Sequence, residues 1–305
     1  MGVPNLRNSA SGTVTVDLDR CTGCGLCIKV CGEGNLILSG GKAHFAGEGS
    51  FGCITCGQCM AVCAPGALTV TGRDFSENAA FDLAPVSESA DYGSLMNLLY
   101  KRRSIRRYKD IPVDHEITQK LIEAASTAPM GIPPWDVHLL VLEGKEKVKE
   151  FSDDFCKVCR DMKIMTSPLF AKMIGLFLSK MKFLFLRDFL GPLLKKYIEG
   201  NAEGKDFVMY GAPLAIYFYG TEVSDPADPV LAATYAMIAA ESLGLGSCML
   251  GAIHPMIQNG PSGRKFREKF GIKYKSKNGI VVIFGYPEIK FKKGIKRTFA
   301  SVEFR

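Results

Sequence analysis

The chain has 305 residues, 47% of them hydrophobic and 23% charged, with a formal net charge of +7. That length exceeds one small domain and allows a sizeable core, while charges interrupt every apolar run short of the roughly 20 residues a membrane span needs. The positive excess is concentrated late, with thirteen Lys/Arg against three Glu over residues 264–305, which suits an anionic ligand or an acidic partner; nucleic acid is disfavoured, since no DNA- or RNA-binding motif accompanies the charge.

The first residues are polar and bear Gly and Pro, with no apolar core of a secretory signal, so a reducing, cytoplasmic setting is expected. Thr13–Asp17 reads as a short strand. Eight of the eleven cysteines then fall in two runs, Cys21, Cys24, Cys27, Cys31 and Cys53, Cys56, Cys59, Cys63, each spaced C-x2-C-x2-C-x3-C. This spacing wraps three thiolates around one [4Fe–4S] cubane and sends the fourth to the other cluster. Cluster one is therefore expected on Cys21, Cys24, Cys27 and Cys63, and cluster two on Cys53, Cys56, Cys59 and Cys31. Structural zinc takes four ligands and needs no doubled four-cysteine run, and a disulfide framework needs an oxidising compartment. Ala67–Val70 reads as a second short strand. In these runs and in Pro65, residues 13–72 resemble bacterial two-cluster ferredoxins. The sequence departs from them at Gly32, where they have proline; no ligand is lost.

Residues 74–91 are rich in Ser, Ala, Glu and Asp and read as a linker. The expected division is a ferredoxin-type domain over 1–75, a linker over 76–93 and a larger domain over 94–305. In the larger part, Ser94–Arg103 is helical in pattern and runs into Arg102-Arg103-Ser104-Ile105-Arg106. Asp114 reads as the N-cap of a helix through Ser126. Val137–Leu142, Leu214–Tyr219 and Ile280–Phe284 read as buried strands, Ala227–Leu243 as a central helix and Thr298–Phe304 as a terminal strand. Long helices between strands argue an α+β fold with a mixed sheet flanked by helices.

The Arg-Arg-Ser-x-Arg entry, the Pro134-Trp135 pair, Gly211-Ala212-Pro213 before a strand, and Ala240 to Cys248 after a helix together resemble the nitroreductase-type FMN flavoenzymes. The resemblance covers about 94–305. It implies that Arg102, Arg103 and Ser104 meet the FMN phosphate and ribityl chain. It also implies that Arg106 lies near the N1/O2 edge of the ring. Guanidinium groups suit phosphate through paired, charge-assisted hydrogen bonds, and a hydroxyl adds a neutral one. By the same resemblance, Met249, Leu250, Gly251 and Ala252 border the flavin, with the Gly251 N–H at N5. Arg297 answers to a late basic residue at the phosphate. Family members carry amide side chains before the Pro-Trp pair. Here Ala128 to Trp135 has none, which leaves backbone groups of Pro129, Met130 and Gly131 for that contact. Gly244-x-Gly246 is no dinucleotide fingerprint, because it follows a helix and lacks the third glycine. The family forms an intertwined homodimer, and residues 298–304 are a candidate for the exchanged element.

Pro168–Ile198 is rich in Phe, Leu and Met, with Lys172, Lys180, Lys182 and Arg187. A core or dimer helix, or a lid over the flavin, is favoured over an in-plane membrane helix. Cys156 and Cys159 read as buried thiols, and Cys248 as a packing residue. His254 follows the flavin loop and is a candidate proton donor, weighed against a merely packed histidine. Taken together, the sequence reads as an FMN-dependent iron–sulfur oxidoreductase of nitroreductase type. Electrons would pass from a low-potential donor such as ferredoxin through two [4Fe–4S] clusters to FMN. The terminal acceptor would be small, flat and apolar: a nitroaromatic, a quinone or an activated alkene. Reverse flow, with a substrate or NAD(P)H reducing FMN, is the alternative enzyme reading. A non-catalytic electron carrier docking a complex or membrane is the alternative outside catalysis.

Overall fold

The computed structural model describes residues 11–47, 49, 52–73, 75–131, 136–163 and 180–305. The Pro134-Trp135 pair and residues 168–179 of the apolar segment lie outside the described residues. The chain divides into two compact units, one of Met1–Ser89 with Pro129–Val137 and Thr221–Asp228, the other of the remainder.

In the first unit, β1 (Thr13–Val16) pairs antiparallel with β4 (Leu68–Thr71), Thr13 opposite Thr71 and Val16 opposite Leu68. The terminal strands read from sequence therefore meet. Between them lies a hairpin that the sequence reading missed, β2 (Leu36–Ser39) against β3 (Lys42–Phe45). Its two turn residues, Gly40 and Gly41, both have positive φ, 56° and 74°. Two left-handed positions in a row are what a tight right-twisting hairpin demands, and glycine adopts them without strain. Short helices α1 (Leu26–Val30) and α2 (Gln58–Ala61) follow left-handed Gly25 and Gly57 at equivalent places in the two cysteine runs. Val14, Leu36, Ala43, Leu68 and Val70 form a small core shared with Cys21, Cys27, Cys53 and Cys59. So few apolar residues make a thin core, and small folds of this kind lean on bound metal for stability.

The second unit begins with α3 (Tyr92–Lys101), whose N-cap Asp91 accepts from the Ser94 N–H at 2.7 Å. α4 (His115–Ser126) follows Asp114; there the cap is backbone only, since the Asp114 side chain makes no capping bond. β5 (Val137–Glu143) leads to α5 (Lys145–Lys163). After the undescribed stretch come α6 (Lys180–Leu184), a π-helical turn Phe185–Leu190 and α7 (Gly191–Ala202). Then follow β6 (Leu214–Gly220), α8 (Asp228–Ser242), β7 (Gly246–Leu250), α9 (Ile253–Gln258), α10 (Gly260–Lys269) and β8 (Gly279–Gly285). The sheet order is β5-β6-β8-β7, with β6 and β7 both antiparallel to β8. A parallel bridge from Ser104 to Ser247 gives the β7 side a contact of the opposite sense. All seven residues of β6 are buried. Its continuous apolar run, Leu-Ala-Ile-Tyr-Phe-Tyr-Gly, is what a strand covered on both faces requires. Phe151 of α5 and Phe266 of α10 meet edge to face at 4.8 Å, and Phe270 lies 4.9 Å from Phe151.

The expected terminal strand is corrected. Residues 298–304 form no strand; a strand exists by its ladder bonds, and this arm has no ladder partner among the described residues. Phe299 and Phe304 are 85% and 94% exposed.

Phe151→Ala removes a fully buried ring from this cluster, and we expect it to cost about 3–5 kcal/mol. The denaturant midpoint of the larger unit measures it, and the iron content of the first unit stays unchanged.

Candidate functional site

Two cavities in the first unit collect the cysteines. One, of 320 Å³, is lined by Cys31, Cys53, Cys56 and Cys59. The other, of 20 Å³, is lined by Cys21, Cys24, Cys27 and Cys63. Each cavity thus takes three cysteines from one run and the last from the other. All eleven cysteines are free thiols. Among the described residues, no three His, Cys, Asp or Glu side chains close on a single ion. A cubane holds its four thiolates farther apart than one tetrahedral ion does.

The backbone turns toward the sulfurs. The Ala67 N–H donates to Cys63 Sγ at 3.2 Å and the Ala43 N–H to Cys21 Sγ at 3.5 Å. Gly23, at φ 71°, sits so close to the hairpin tip that a Cβ there would collide with the Gly41 carbonyl. Thr55, buried between Cys53 and Cys56, holds a left-handed φ of 54°, a conformation a β-branched residue adopts only under constraint. Amide donors from Ala43 and Gly23 pull the Cys21 thiol below its ordinary pKa. Burial raises Cys27 and Cys53, and pushes Cys59 up to about 12. Buried thiols of this kind ionise when iron replaces the proton, because the metal supplies the positive charge that water no longer can.

The basic segment after α3 is fixed on β7. The Ile105 N–H donates to the Ser247 carbonyl at 2.9 Å. Gly246 makes this seam fit, since a Cβ there would come within 2.8 Å of Ile105 Cβ. Ser104 and Arg106 reach the Cys248 thiol by hydrogen bonds and Arg102 adds its charge, while burial raises that thiol's pKa. The Arg106 guanidinium also lies 5.7 Å from the centre of the Tyr210 ring. Arg103 does not join this group. Its main-chain N–H bonds Glu241, and its Nη2 is buried without a hydrogen-bond partner, as is the Ser247 hydroxyl. A buried guanidinium N–H with no acceptor fits an anionic ligand, and phosphate is the anion that guanidinium geometry suits best. A cavity of 480 Å³ lies beside the segment, lined among others by Lys101, Ile105, Glu241, Lys290, Lys292 and Lys293. The sequence registered these late lysines as a general charge excess and missed their place, along with Glu241.

Past β7 the chain turns through Gly251 and Ala252 into α9. Met249, Leu250 and Ala252 are half-buried and Gly251 is exposed. A Cβ on Gly251 would meet Ile280 at 4.0 Å, so the turn is open on that side. In the first unit, Pro129 is exposed, and the Gly131 N–H donates to the buried Asp228 carboxylate at 3.1 Å. Arg297 lies exposed on the C-terminal arm. Cys156 and Cys159 are buried in α5 with raised thiol pKa values, Cys156 near 11, which makes them inert.

His254 offers no exposed ring nitrogen. The Ser276 N–H donates to Gln258 Oε1 at 3.0 Å, which aims Gln258 Nε2 at the Tyr217 hydroxyl, 2.9 Å away. That hydroxyl then donates to His254 Nδ1 at 2.7 Å. The other ring nitrogen carries the proton and faces the carbonyls of Ser276 and Lys277, and burial depresses the imidazole pKa. His254 is a neutral, fully bonded histidine that anchors the turn after Gly251 to the sheet. The expected role as proton donor to a substrate has no open path from this position.

An α+β sheet with a basic seam on its edge strand, together with a two-cavity cysteine unit, defines an oxidoreductase-type architecture with an attached iron–sulfur module. The profile of the nitroreductase family matches residues 99–286, more than half of the chain, and the chain belongs to that family. Residues 13–64 match a 4Fe-4S dicluster domain. Among solved structures, a nitroreductase with bound FMN from Bacteroides fragilis NCTC 9343 is 18% identical with a TM-score of 0.52, covering 69% of this chain and 98% of its own. A nitroreductase with bound FMN from Desulfitobacterium hafniense DCB-2 is 19% identical at a TM-score of 0.49, covering 68% and 98%. No curated protein matches the chain.

Two outcomes test the site. Cys63→Ala lowers the iron content by about half and removes the cluster held by Cys21, Cys24 and Cys27; loss of the other cluster instead would reverse the assignment. The second concerns pH. Because His254 binds its proton less readily folded than unfolded, the unfolded chain takes up more protons as pH falls through the free-histidine value, near 6.5. Stability is therefore full above that value and declines below it. The denaturant midpoint drops between about pH 7.5 and about pH 5.5, and His254→Gln shrinks the drop.

Proposed function

We propose that this nitroreductase-family protein is an FMN-dependent iron–sulfur oxidoreductase. It carries electrons from a low-potential donor such as ferredoxin through two [4Fe–4S] clusters to FMN and on to a small, flat, apolar acceptor. The observation that carries the reading is the pair of cavities dividing eight cysteines by the crossover pattern, in the same chain as a nitroreductase-family domain. A conventional reductase that takes hydride directly from a nicotinamide has no use for two clusters. Single-electron carriers have that use.

FMN, when bound, supplies the exchange between one-electron and two-electron chemistry. Arg102, Arg103, Ser104 and, by family position, Arg297 would hold its phosphate and ribityl chain. The buried unpartnered Nη2 of Arg103 supports an anion there. Arg106 would bring positive charge to the anionic edge of the reduced ring, which favours electron uptake. Met249, Leu250, Gly251 and Ala252 would border the ring, with the Gly251 N–H as a fixed donor, and Pro129, Met130 and Gly131 would contribute backbone contacts. The exposed apolar side chains of the C-terminal arm, Phe291, Ile295, Phe299 and Phe304, support a homodimer in which a second copy covers them. The lysines at 290, 292, 293 and 296 support docking of an acidic electron donor. A cytoplasmic location goes with oxygen-labile clusters.

The test is anaerobic rapid mixing of the reconstituted protein with reduced ferredoxin, NADH or NADPH, followed by absorbance. Bleaching of clusters and flavin by ferredoxin, slowed steeply by added salt, is the expected outcome. Flavin bleaching by a nicotinamide alone would turn the flow outward. A protein without a flavin band would remove the reading of the larger unit.

A further inference from the structure

The hairpin missed in the sequence closes directly on one of the two cysteine sets. At its tip, Gly41 packs against Gly23 in the first cysteine loop. The next residue, Lys42, sends its ammonium to the Cys21 carbonyl at 2.5 Å and to the Leu18 carbonyl at 2.9 Å. The residue after that, Ala43, donates its N–H to Cys21 Sγ and lines the same cavity. Three consecutive residues thus clasp one ligand loop. The clasp carries a positive charge, fixed in position by two carbonyls.

We infer that Lys42 sets the reduction potential of the cluster held by Cys21, Cys24, Cys27 and Cys63, raising it by stabilising the reduced state. On reduction each cluster takes up one electron and no proton, and no bond forms or breaks; the cluster becomes one charge more negative. A cation held close to one ligand lowers the energy of that more negative state, and its fixed position beside the Cys21 carbonyl brings it near the ligand even though Lys42 is half-exposed. The second set lies away from this clasp. Its cavity is wider, is lined by Glu33, and has Arg73 acting on Cys53. Lys42 therefore acts on one cluster selectively, and the hairpin gives two chemically identical cubanes different affinities for an electron. This rests on the cluster reading, which the unmodified protein tests by itself.

The experiment is a potentiometric titration of the anaerobically reconstituted full chain with dithionite as reductant, followed by electron paramagnetic resonance. Iron content and melting temperature are recorded for every variant. Two reduction steps are expected in the unmodified protein, and Cys63→Ala identifies the one belonging to the first set. Lys42→Met moves that step to lower potential and leaves the other in place, while Lys42→Arg keeps both near their starting positions. Lys42→Gln, a smaller polar change, behaves as Lys42→Met does and serves if that variant fails to load iron. Steps unmoved by loss of the charge overturn the proposal. So does a common displacement of both steps, or a displacement in Lys42→Arg equal to that in Lys42→Met. Absence of any cluster signal in the unmodified protein overturns the cluster reading instead.

Discussion

Thiolates do not gather willingly in a small protein. Eight cysteines crowded into two cavities repel one another when charged and lose water when buried, and Cys59 shows the cost in a pKa near 12. Iron resolves the conflict by taking the place of the protons, and the fold is arranged for that exchange. Left-handed glycines at equivalent places in the two runs let the main chain pass close to the sulfurs. Amide N–H groups from Ala43 and Ala67 then point at Cys21 and Cys63. The hydrophobic core around them is slight. The metal-binding energy and the folding energy of this unit are largely the same quantity, and the pairing of β1 with β4 follows from bringing two distant runs to shared clusters.

In the larger unit the governing contact is the seam between residues 104–105 and β7. One main-chain bond and the missing Cβ of Gly246 let an extended basic segment lie alongside the edge strand. Alternation along an extended chain then separates neighbours. Ser104 and Arg106 bond the Cys248 thiol, while the Arg103 main chain bonds Glu241 and its Nη2 is buried without an acceptor. A run that looks in sequence like one basic cluster thus meets different partners in space.

Local signals were legible in the chain and long-range ones were not. Buried strands such as Leu214–Gly220 announce themselves by unbroken hydrophobicity, and the helix after Asp114 by a residue type that favours helix starts. The cysteine spacing fixed which thiols meet, because the ligand geometry of a cubane leaves little freedom. The β2–β3 hairpin escaped, although Gly40-Gly41 is a turn signal, because strands of four residues are too short to show a clear period. The burial of His254 behind Tyr217 depends on a residue 37 positions earlier in the chain, which Gln258 of the same helix as His254 also bonds; the local sequence shows Gln258 but not that partner. The terminal strand failed for a different reason. Its Phe299, Val302 and Phe304 carry strand propensity, but propensity makes a strand only where an edge is available to pair with it.

The hairpin also explains why the two cysteine cavities differ so much in size. Its far end meets the first set through Gly41, Lys42 and Ala43, each in direct contact with the ligand loop, and that cavity is nearly closed. Its near end meets the second set through Glu33, Asn35 and Leu36. There the buried Asn35 spends its amide on the chain leading to Cys53, donating to the Gly52 carbonyl at 2.9 Å and accepting from the Gly49 N–H at 3.0 Å. Those bonds fix the loop without filling the space beside the thiols, so the second cavity stays wide. One short hairpin and the residues leading into it are thereby shared by both cysteine sets, with Lys42 beside the first and Glu33 and Arg73 beside the second. Symmetry of sequence between the two runs does not carry over into symmetry of environment, and it is environment that decides where an electron rests.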